Sequence, residues 1–511
     1  MADWYVSSAN YAAVPAWAAS TAYTVGQFIK PVTVPANTAY VYRCTTAGTS
    51  GGTEPASWST ANNSTTASGT AVFTNVTGQS AYGWSAAAGT LYAIAVAIGN
   101  RLASSDRVFI GSDHSETNLA SNPVYAFASQ NYTLVQIISV NRAGSVPPVA
   151  ADLQNGAAIT ASSGNFLLEA LTNIFYQGVT FTNSGTGNIT FNNTGARGSY
   201  FKNCAFKFTN AGASTAKLNV LNSPRITWDN TTVQFSNAGQ FIGGLTGGNH
   251  MELHWINTPS AIQGSTFPTS LFSTAAGGAI LLVTCRGVDL SAVTGTLLAG
   301  SAQSWQGKVL LDDCRIASGL TRWSGGTVSA GVVEEVELIN CYDGTNFLNE
   351  RYTAAGTVTT DRSTTLSGGA QDDVGAYSLK LVSSTRSDFQ TFTLDAFAFD
   401  VENSATGASK TATVEIISSA SLNNIDIRLV LEYMGTAGSS IASFVESLAA
   451  ILTASSPLPS SSVTWNNPPS TPQKQYLQVT FTPQTAGRVR GLVRLGKAST
   501  TVWVNPQITI A

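Results

Sequence analysis

The sequence is short of charge. Asp, Glu, Lys and Arg make up 10% of its 511 residues, against about 25% in an ordinary soluble chain. Its 25 basic and 28 acidic side chains leave a net charge of −3, and no stretch concentrates Lys or Arg. A surface that tracks phosphates needs clustered cations, so nucleic acid is not an expected partner. Long hydrophobic runs are also missing. The longest, LYAIAVAI (Leu91–Ile98), falls far below the ~20 residues of a spanning helix, so no membrane insertion is expected. The opening MADWYVSSANYAA has neither a basic leader nor an apolar core, so no signal peptide is expected. Cys44, Cys204, Cys285, Cys314 and Cys341 form no CxxC and have no His at metal-ligand spacing. No metal site and no cofactor is expected. An odd count without an export signal argues against a disulfide framework. All five are read as reduced, and the last four as small buried hydrophobes.

What remains is apolar content of 43%, enough for cores, and polarity drawn from Thr, Ser, Asn and Gly. β-branched side chains pack on pleated surfaces, while Gly and Asn accept positive φ in tight turns. The chain is expected to be all-β.

A repeat organises its middle. FKNCAFKF around Cys204, LLVTCRGVDL around Cys285, LLDDCRIAS around Cys314 and VELINCYDG around Cys341 share alternating apolar residues beside a cysteine. Cys285 precedes Cys314 by 29 residues, Cys314 precedes Cys341 by 27, and Cys204 lies 81 before Cys285. IFYQGVTFTN (Ile174–Asn183) and NTTVQFSNAG (Asn230–Gly239) read as copies without the cysteine. Self-similarity at this period, with turn residues and no helical periodicity, predicts a right-handed parallel β-helix with an internal side-chain ladder. The repeats span about Asp106 to Gly344, and a propeller is the second choice.

The adjacent carboxylates Asp312 and Asp313 fall inside this repeat. Successive residues of a strand point to opposite faces, so the two cannot converge on one bond. They are read as a local variation on a structural theme. LLDDCRI resembles the Asp-Asp segment of polygalacturonases, β-helix pectin hydrolases. The Gly-His-Gly and Arg-Ile-Lys segments of that family are absent, and the resemblance stops at three residues.

Residues 1–80 read as a small aromatic-rich β module. AWAASTAYTVGQFIKP, AYVYRCTTAGTSGGTEPASW and GTAVFTNV resemble three-stranded modules of bacteriophage structural proteins and chitin-binding modules of glycosidases, with GQF departing from the latter. That resemblance implies glycan contact through Trp17, Tyr23, Tyr42 and Trp58, since an aromatic face suits a pyranose. The alternative is that these rings form the module's own core. In GSDHSETN (Gly111–Asn118), Asp113, His114 and Glu116 have the chemistry to hold a cation or move a proton, and a turn between first coils is the plainer reading.

Residues 81–352 then hold the β-helix and 353–370 a Thr, Ser and Gly-rich linker. Over 371–511 the strands lengthen: YSLKLVSS, ATVEIISS, IDIRLVLEYM, QYLQVTFTPQ, GRVRGLVRLG and TTVWVNPQITI alternate cleanly. They predict an antiparallel β-sandwich. Gly375–Leu381 resembles the first strand of jelly-roll carbohydrate-binding modules and of phage fibre tips. SSIASFVESLAAILTA places Ile441, Phe444, Val445, Leu448 and Leu452 at helical spacing, so one short helix is expected there.

Together these parts resemble a virion appendage protein of a tailed bacteriophage. The resemblance implies a non-enzymatic homotrimer attached to other virion proteins of the capsid or tail, as a spike, fibre or decoration. It further implies assembly in the host cytoplasm and contact with host surface polysaccharide. The alternative is a tailspike depolymerase, a glycosidase or lyase. A hydrolase would need two carboxylates converging at about 5–9.5 Å, drawn from Asp229, Glu252, Asp289, Asp312 and Glu337. A secreted carbohydrate-binding adhesin is a third reading, opposed by the opening segment and the odd cysteine count.

Overall fold

Alternating apolar and polar residues make strands with one buried face, and a residue at positive φ turns the chain sharply between two of them. In the computed structural model these two devices recur along most of the chain. The structure describes residues 2–33, 39–95, 102, 105–120, 122–127, 134–170, 173–193, 198–213, 215–221, 225–243, 250–273, 280–299, 306–324, 333–345, 347–353, 356–361, 378–383, 390–393, 399–401, 408–418, 422, 426–435, 443–446, 450–453, 475–481 and 487–510. The chain divides into two compact units, 1–334 with 340–347 and 335–339 with 348–511.

The first unit is a parallel β-solenoid with three faces. One coil runs from Ile174–Gln177 on face A through Val179–Asn183 on face B to Ile189–Asn193 on face C. The next begins at Gly198–Lys202, back on face A. Each strand pairs in parallel with its counterpart one coil on: Ile174 with Ser199, Thr180 with Ala205, Ile189 with Leu218. Face C has eight described strands and face B six.

The corner between faces A and B sets the register. Gly178, Asn203, Asn230, Asn257, Gly287, Asp313 and Asn340 form a column of residues with φ between 48° and 71°. Only Gly adopts this region freely, with Asn and Asp next. The residue after each is buried: Val179, Cys204, Thr231, Thr258, Val288, Cys314 and Cys341. Their polar atoms turn onto backbone carbonyls. The Thr231 hydroxyl donates to the Phe201 carbonyl at 3.0 Å and the Cys314 thiol to the Cys285 carbonyl at 3.4 Å. The Cys341 thiol donates to the Leu311 carbonyl at 3.5 Å. Cys and Thr therefore exchange at this corner, since each is small and carries one hydrogen-bond donor.

Three of the four repeat cysteines occupy that corner, and Cys285 does not. Cys285 pairs with Trp255 on one side and Leu311 on the other. It continues the inward column of Tyr176, Phe201, Trp228 and Trp255. Val288 holds the corner in that coil, after Gly287. Aligning LLVTCRGVDL with LLDDCRIAS on their cysteines therefore sets them three residues out of register. The aromatic column is tightly packed: Tyr176 stacks on Phe201 at 4.7 Å and 2°, and Trp228 meets Trp255 edge-on at 5.0 Å.

The solenoid begins at the start of the chain. Asp3–Val6 pairs in parallel with Arg107–Gly111, and Arg107 bridges Asp3 at 2.8 Å. Between them lies a small antiparallel sheet, in the order Phe28–Ile29, Tyr42–Thr46, Ala71–Asn75, Thr65–Ser68. The 3-10 segment Ser80–Ala86 brings Trp84 over Tyr5, Phe109 and Ile138, covering face A of the first coils.

The second unit is antiparallel. One sheet runs Gly356–Asp361, Ser378–Ser383, Thr501–Ile510, Lys410–Ser418, Gln475–Phe481, Ala450–Thr453. The other places Gln390–Thr393 and Phe399–Val401 on Gly487–Leu495, followed by Ile427–Gly435 and Ser443–Glu446. Alternate residues are buried, as in Ala412, Val414 and Ile416, and in Ile427, Leu429 and Leu431. Gly356–Asp361, within the Thr-rich segment read as a linker, is a strand. The helix expected over 439–454 is not formed in its described part: Ser443–Glu446 and Ala450–Thr453 are strands in different sheets, and the remainder lies outside the described residues. Each strand completes a ladder with a longer neighbour, and those hydrogen bonds override a helical spacing over two or three turns.

Candidate functional site

The aromatic residues read as glycan contacts fall in the small antiparallel sheet and its loops. Tyr42 is fully buried, and its hydroxyl donates to the Ser59 carbonyl at 2.9 Å. Tyr23 packs edge-on against Phe73 at 5.1 Å and accepts the Ala18 amide at 2.8 Å. Trp17 is 7% exposed. These three rings are core and offer no open face to a sugar. Trp58 differs, being only partly buried, with its centroid 4.6 Å from that of Tyr42 and 5.8 Å from that of Phe73.

Trp58 lines a cavity of about 580 Å³, with Pro31, Thr33, Tyr40, Tyr42, Glu54, Pro55, Ala56, Ser57 and Thr60. This lies within the size range of small-ligand sites and has their composition, mostly apolar with few polar groups. Glu54 organises the wall. Its Oε1 accepts the Val32 amide at 2.7 Å and the Trp58 indole N–H at 3.0 Å, and its Oε2 accepts the Thr33 amide at 3.0 Å. Burial works to raise the carboxyl pKa, but the hydrogen bonds from Thr33, Val32 and Trp58 outweigh it and hold Glu54 below the usual carboxylate range. Glu54 and Tyr40 lie within the quoted segment AYVYRCTTAGTSGGTEPASW, Glu54 in Gly-x-x-Glu-Pro and Tyr40 in Tyr-x-Tyr-x-Cys, but neither is among the expected glycan contacts.

The acidic turn after the first coil strand is a clasp rather than an open site. His114 and Glu116 are both buried, with His114 Nε2 3.0 Å from Glu116 Oε2. His114 Nδ1 accepts the Ser8 amide at 3.0 Å, which places its proton on Nε2, facing the carboxylate. Glu116 also accepts the Tyr125 hydroxyl at 2.6 Å and the Leu91 amide. Asp113 turns the other way, into a bidentate pair with Arg142. The group ties residues 8 and 91 to the first coil.

Four of the five carboxylates weighed as a cleaving pair, Asp229, Glu252, Asp289 and Asp312, have hydrogen-bond or ion-pair partners. Asp229 accepts the Tyr200 hydroxyl at 2.8 Å and the Asn257 amide at 3.1 Å. Glu252 takes Arg225 and His254, both at 2.9 Å. Asp289 accepts the Ser291 amide at 2.9 Å and lies 3.6 Å from Arg315. Asp312 lies 3.4 Å from Arg286, one coil back. Asp313 is the positive-φ corner residue, exposed, in the column of Asn203, Asn230 and Asn340. Glu337 belongs to the second unit. Among the described residues, no group of three or more His, Cys, Asp or Glu is placed to hold a metal ion.

No protein-family description matches the sequence, and no curated protein matches it. Among solved structures the chain is similar to the enzymatically active domain of tailspike protein 4 of bacteriophage CBA120. The identity is 10% and the TM-score 0.21, over 99% of this chain and 77% of that one. It is also similar to the tailspike protein of Acinetobacter phage vB_ApiP_P1, at 12% identity and a TM-score of 0.21, over 98% and 99% of the two chains.

Proposed function

We propose that the chain is a non-enzymatic structural protein of a bacteriophage virion, a trimeric spike, fibre or capsid decoration that touches host-surface glycan. The observation that supports this best is the use of its carboxylates. Along the solenoid each candidate acid is held by an Arg, Tyr, Asn or Ser in its own or a neighbouring coil, and such pairs fix register rather than leave an acid and a base facing a shared substrate. The second unit adds a topological support. In chain order from Ser378–Ser383, with Gln390–Thr393 and Phe399–Val401 counted together as the second strand because both pair with Gly487–Leu495, its sheets interleave as first, eighth, third, sixth and second, seventh, fourth, fifth, with Gly356–Asp361 and Ala450–Thr453 left out of the count at the edges. That order supports reading the second unit as a jelly roll, an architecture common in capsid and lectin domains.

Open solenoid ends and a terminal sandwich suit assembly side by side, because partners and caps cover unpaired edges. Within the aromatic module, Trp58 and its cavity are the point of glycan contact, with Tyr42 packed against the indole and Tyr23 reaching it through Phe73. Purified protein incubated with host capsule or lipopolysaccharide tests the reading. We expect sedimentation as a trimer, binding to the polymer and no released oligosaccharide. Release of oligosaccharides, or a monomer that ignores the polymer, would overturn it.

A further inference from the structure

We propose that the Trp58 cavity takes a methylated ammonium group, as carried by a surface polymer bearing trimethylammonium substituents. The inference deepens the glycan-contact reading and rests on this cavity being a binding site. It does not depend on the virion assignment. Three aromatic side chains, Tyr40, Tyr42 and Trp58, line one space of about 580 Å³ together with the Glu54 carboxylate. No Lys or Arg is among the described lining residues, and no salt bridge to Glu54 occurs among the described residues. The wall therefore sets the partly exposed Trp58 ring, with Tyr40 and Tyr42 buried at its margin, beside a carboxylate that has no Lys or Arg partner among the described residues. That combination favours a cation over a neutral group of equal size, and disfavours acidic sugars.

The hydrogen bonds narrow the class further. A carboxylate oxygen accepts about two hydrogen bonds. Oε1 already takes the Val32 amide and the Trp58 indole, and Oε2 takes the Thr33 amide. Glu54 can supply charge but has few acceptor positions left. A primary ammonium group would lose hydration without replacing its three hydrogen bonds, whereas a trimethylammonium group asks for none. Apolar Pro31, Pro55 and Ala56 suit its methyl groups.

The test titrates the full chain with choline, with its uncharged isostere 3,3-dimethylbutan-1-ol, and with N-acetylglucosamine, by calorimetry and ligand-observed NMR. We expect saturable choline binding about tenfold tighter than the isostere, the size of a single cation–π and charge contribution. Trp58→Ala should abolish it. Glu54→Gln should reduce the preference for choline while leaving the isostere unchanged. Should either variant fail to fold, the comparison on the unaltered chain decides alone. Equal binding of choline and its isostere would overturn the cation class. Binding of N-acetylglucosamine without choline would overturn it too, while leaving the cavity a glycan site. Binding of none of the three would remove both readings.

Discussion

Single side chains along the solenoid differ in what their loss would cost. Cys314 is 1% exposed, at a corner where its thiol meets backbone carbonyls. The contact with Cys341, followed by burial, pushes its thiol well above the ordinary value, and burial pushes that of Cys204 up to about 12. Both therefore sit as neutral thiols. Cys314→Asp should cost about 3 kcal/mol or more in denaturant unfolding, because it places an unpaired carboxyl there. Cys314→Thr, the residue used at 231 and 258, should cost much less. Asp312→Asn breaks only a half-exposed pair with Arg286 and should change stability by no more than ~0.5 kcal/mol. A large loss at Asp312 would argue for a role beyond register.

Glu54 carries a pH dependence whose sign follows from its lowered pKa. A carboxyl that titrates lower in the folded chain than the ~4.3 of the unfolded one contributes stability above pH 4.3. That contribution is lost as pH falls through the folded value. The melting temperature should therefore fall between pH 5 and 3 more steeply in the unaltered chain than in Glu54→Gln. Equal slopes would show that the Val32, Thr33 and Trp58 hydrogen bonds do not favour the ionised form.

At the scale of elements, the corner column explains why so variable a repeat keeps one geometry. Gly178, Asn203, Asn230, Asn257, Gly287, Asp313 and Asn340 share a conformation and little else. Asn230→Ala should destabilise by about 1 kcal/mol, the cost of a left-handed conformation for a residue with a plain Cβ. Asn230→Gly should cost little, although it loses the amide contact to Asn203 at 2.8 Å. Equal losses for the two would mean that the amide ladder, rather than backbone strain, sets the corner.

Much of this was legible in the sequence. The alternation around Cys204, Cys314 and Cys341 identified coils of the right length, and Asp312–Asp313 were recognisable as a corner because Asn and Gly fill the same place elsewhere. Cys285 differs because alignment on the cysteine passes over the Gly287 turn signal two residues on. The strands at Ser443–Glu446 and Ala450–Thr453 were hidden for another reason. Apolar spacing over so few residues fits a helix and two short strands alike, and only their partners at Ile427–Gly435 and Gln475–Phe481 decide. The motif draws together Trp17, Tyr23, Tyr42 and Trp58, yet the split between buried Tyr42 and partly buried Trp58 depends on packing around Phe73, which no local pattern records.

For the whole molecule, scarce charge, a solenoid whose candidate acids Asp229, Glu252, Asp289 and Asp312 are paired, and an antiparallel second unit support the proposed scaffold role. Such a protein is expected to act by being mounted on a particle. Electron microscopy of purified virions labelled with gold-conjugated antibody against this chain tests that most directly. Label is expected at fixed positions on the tail or capsid, in copies that follow the particle's symmetry. Virions without label, from a lysate in which the chain is abundant and soluble, would contradict it.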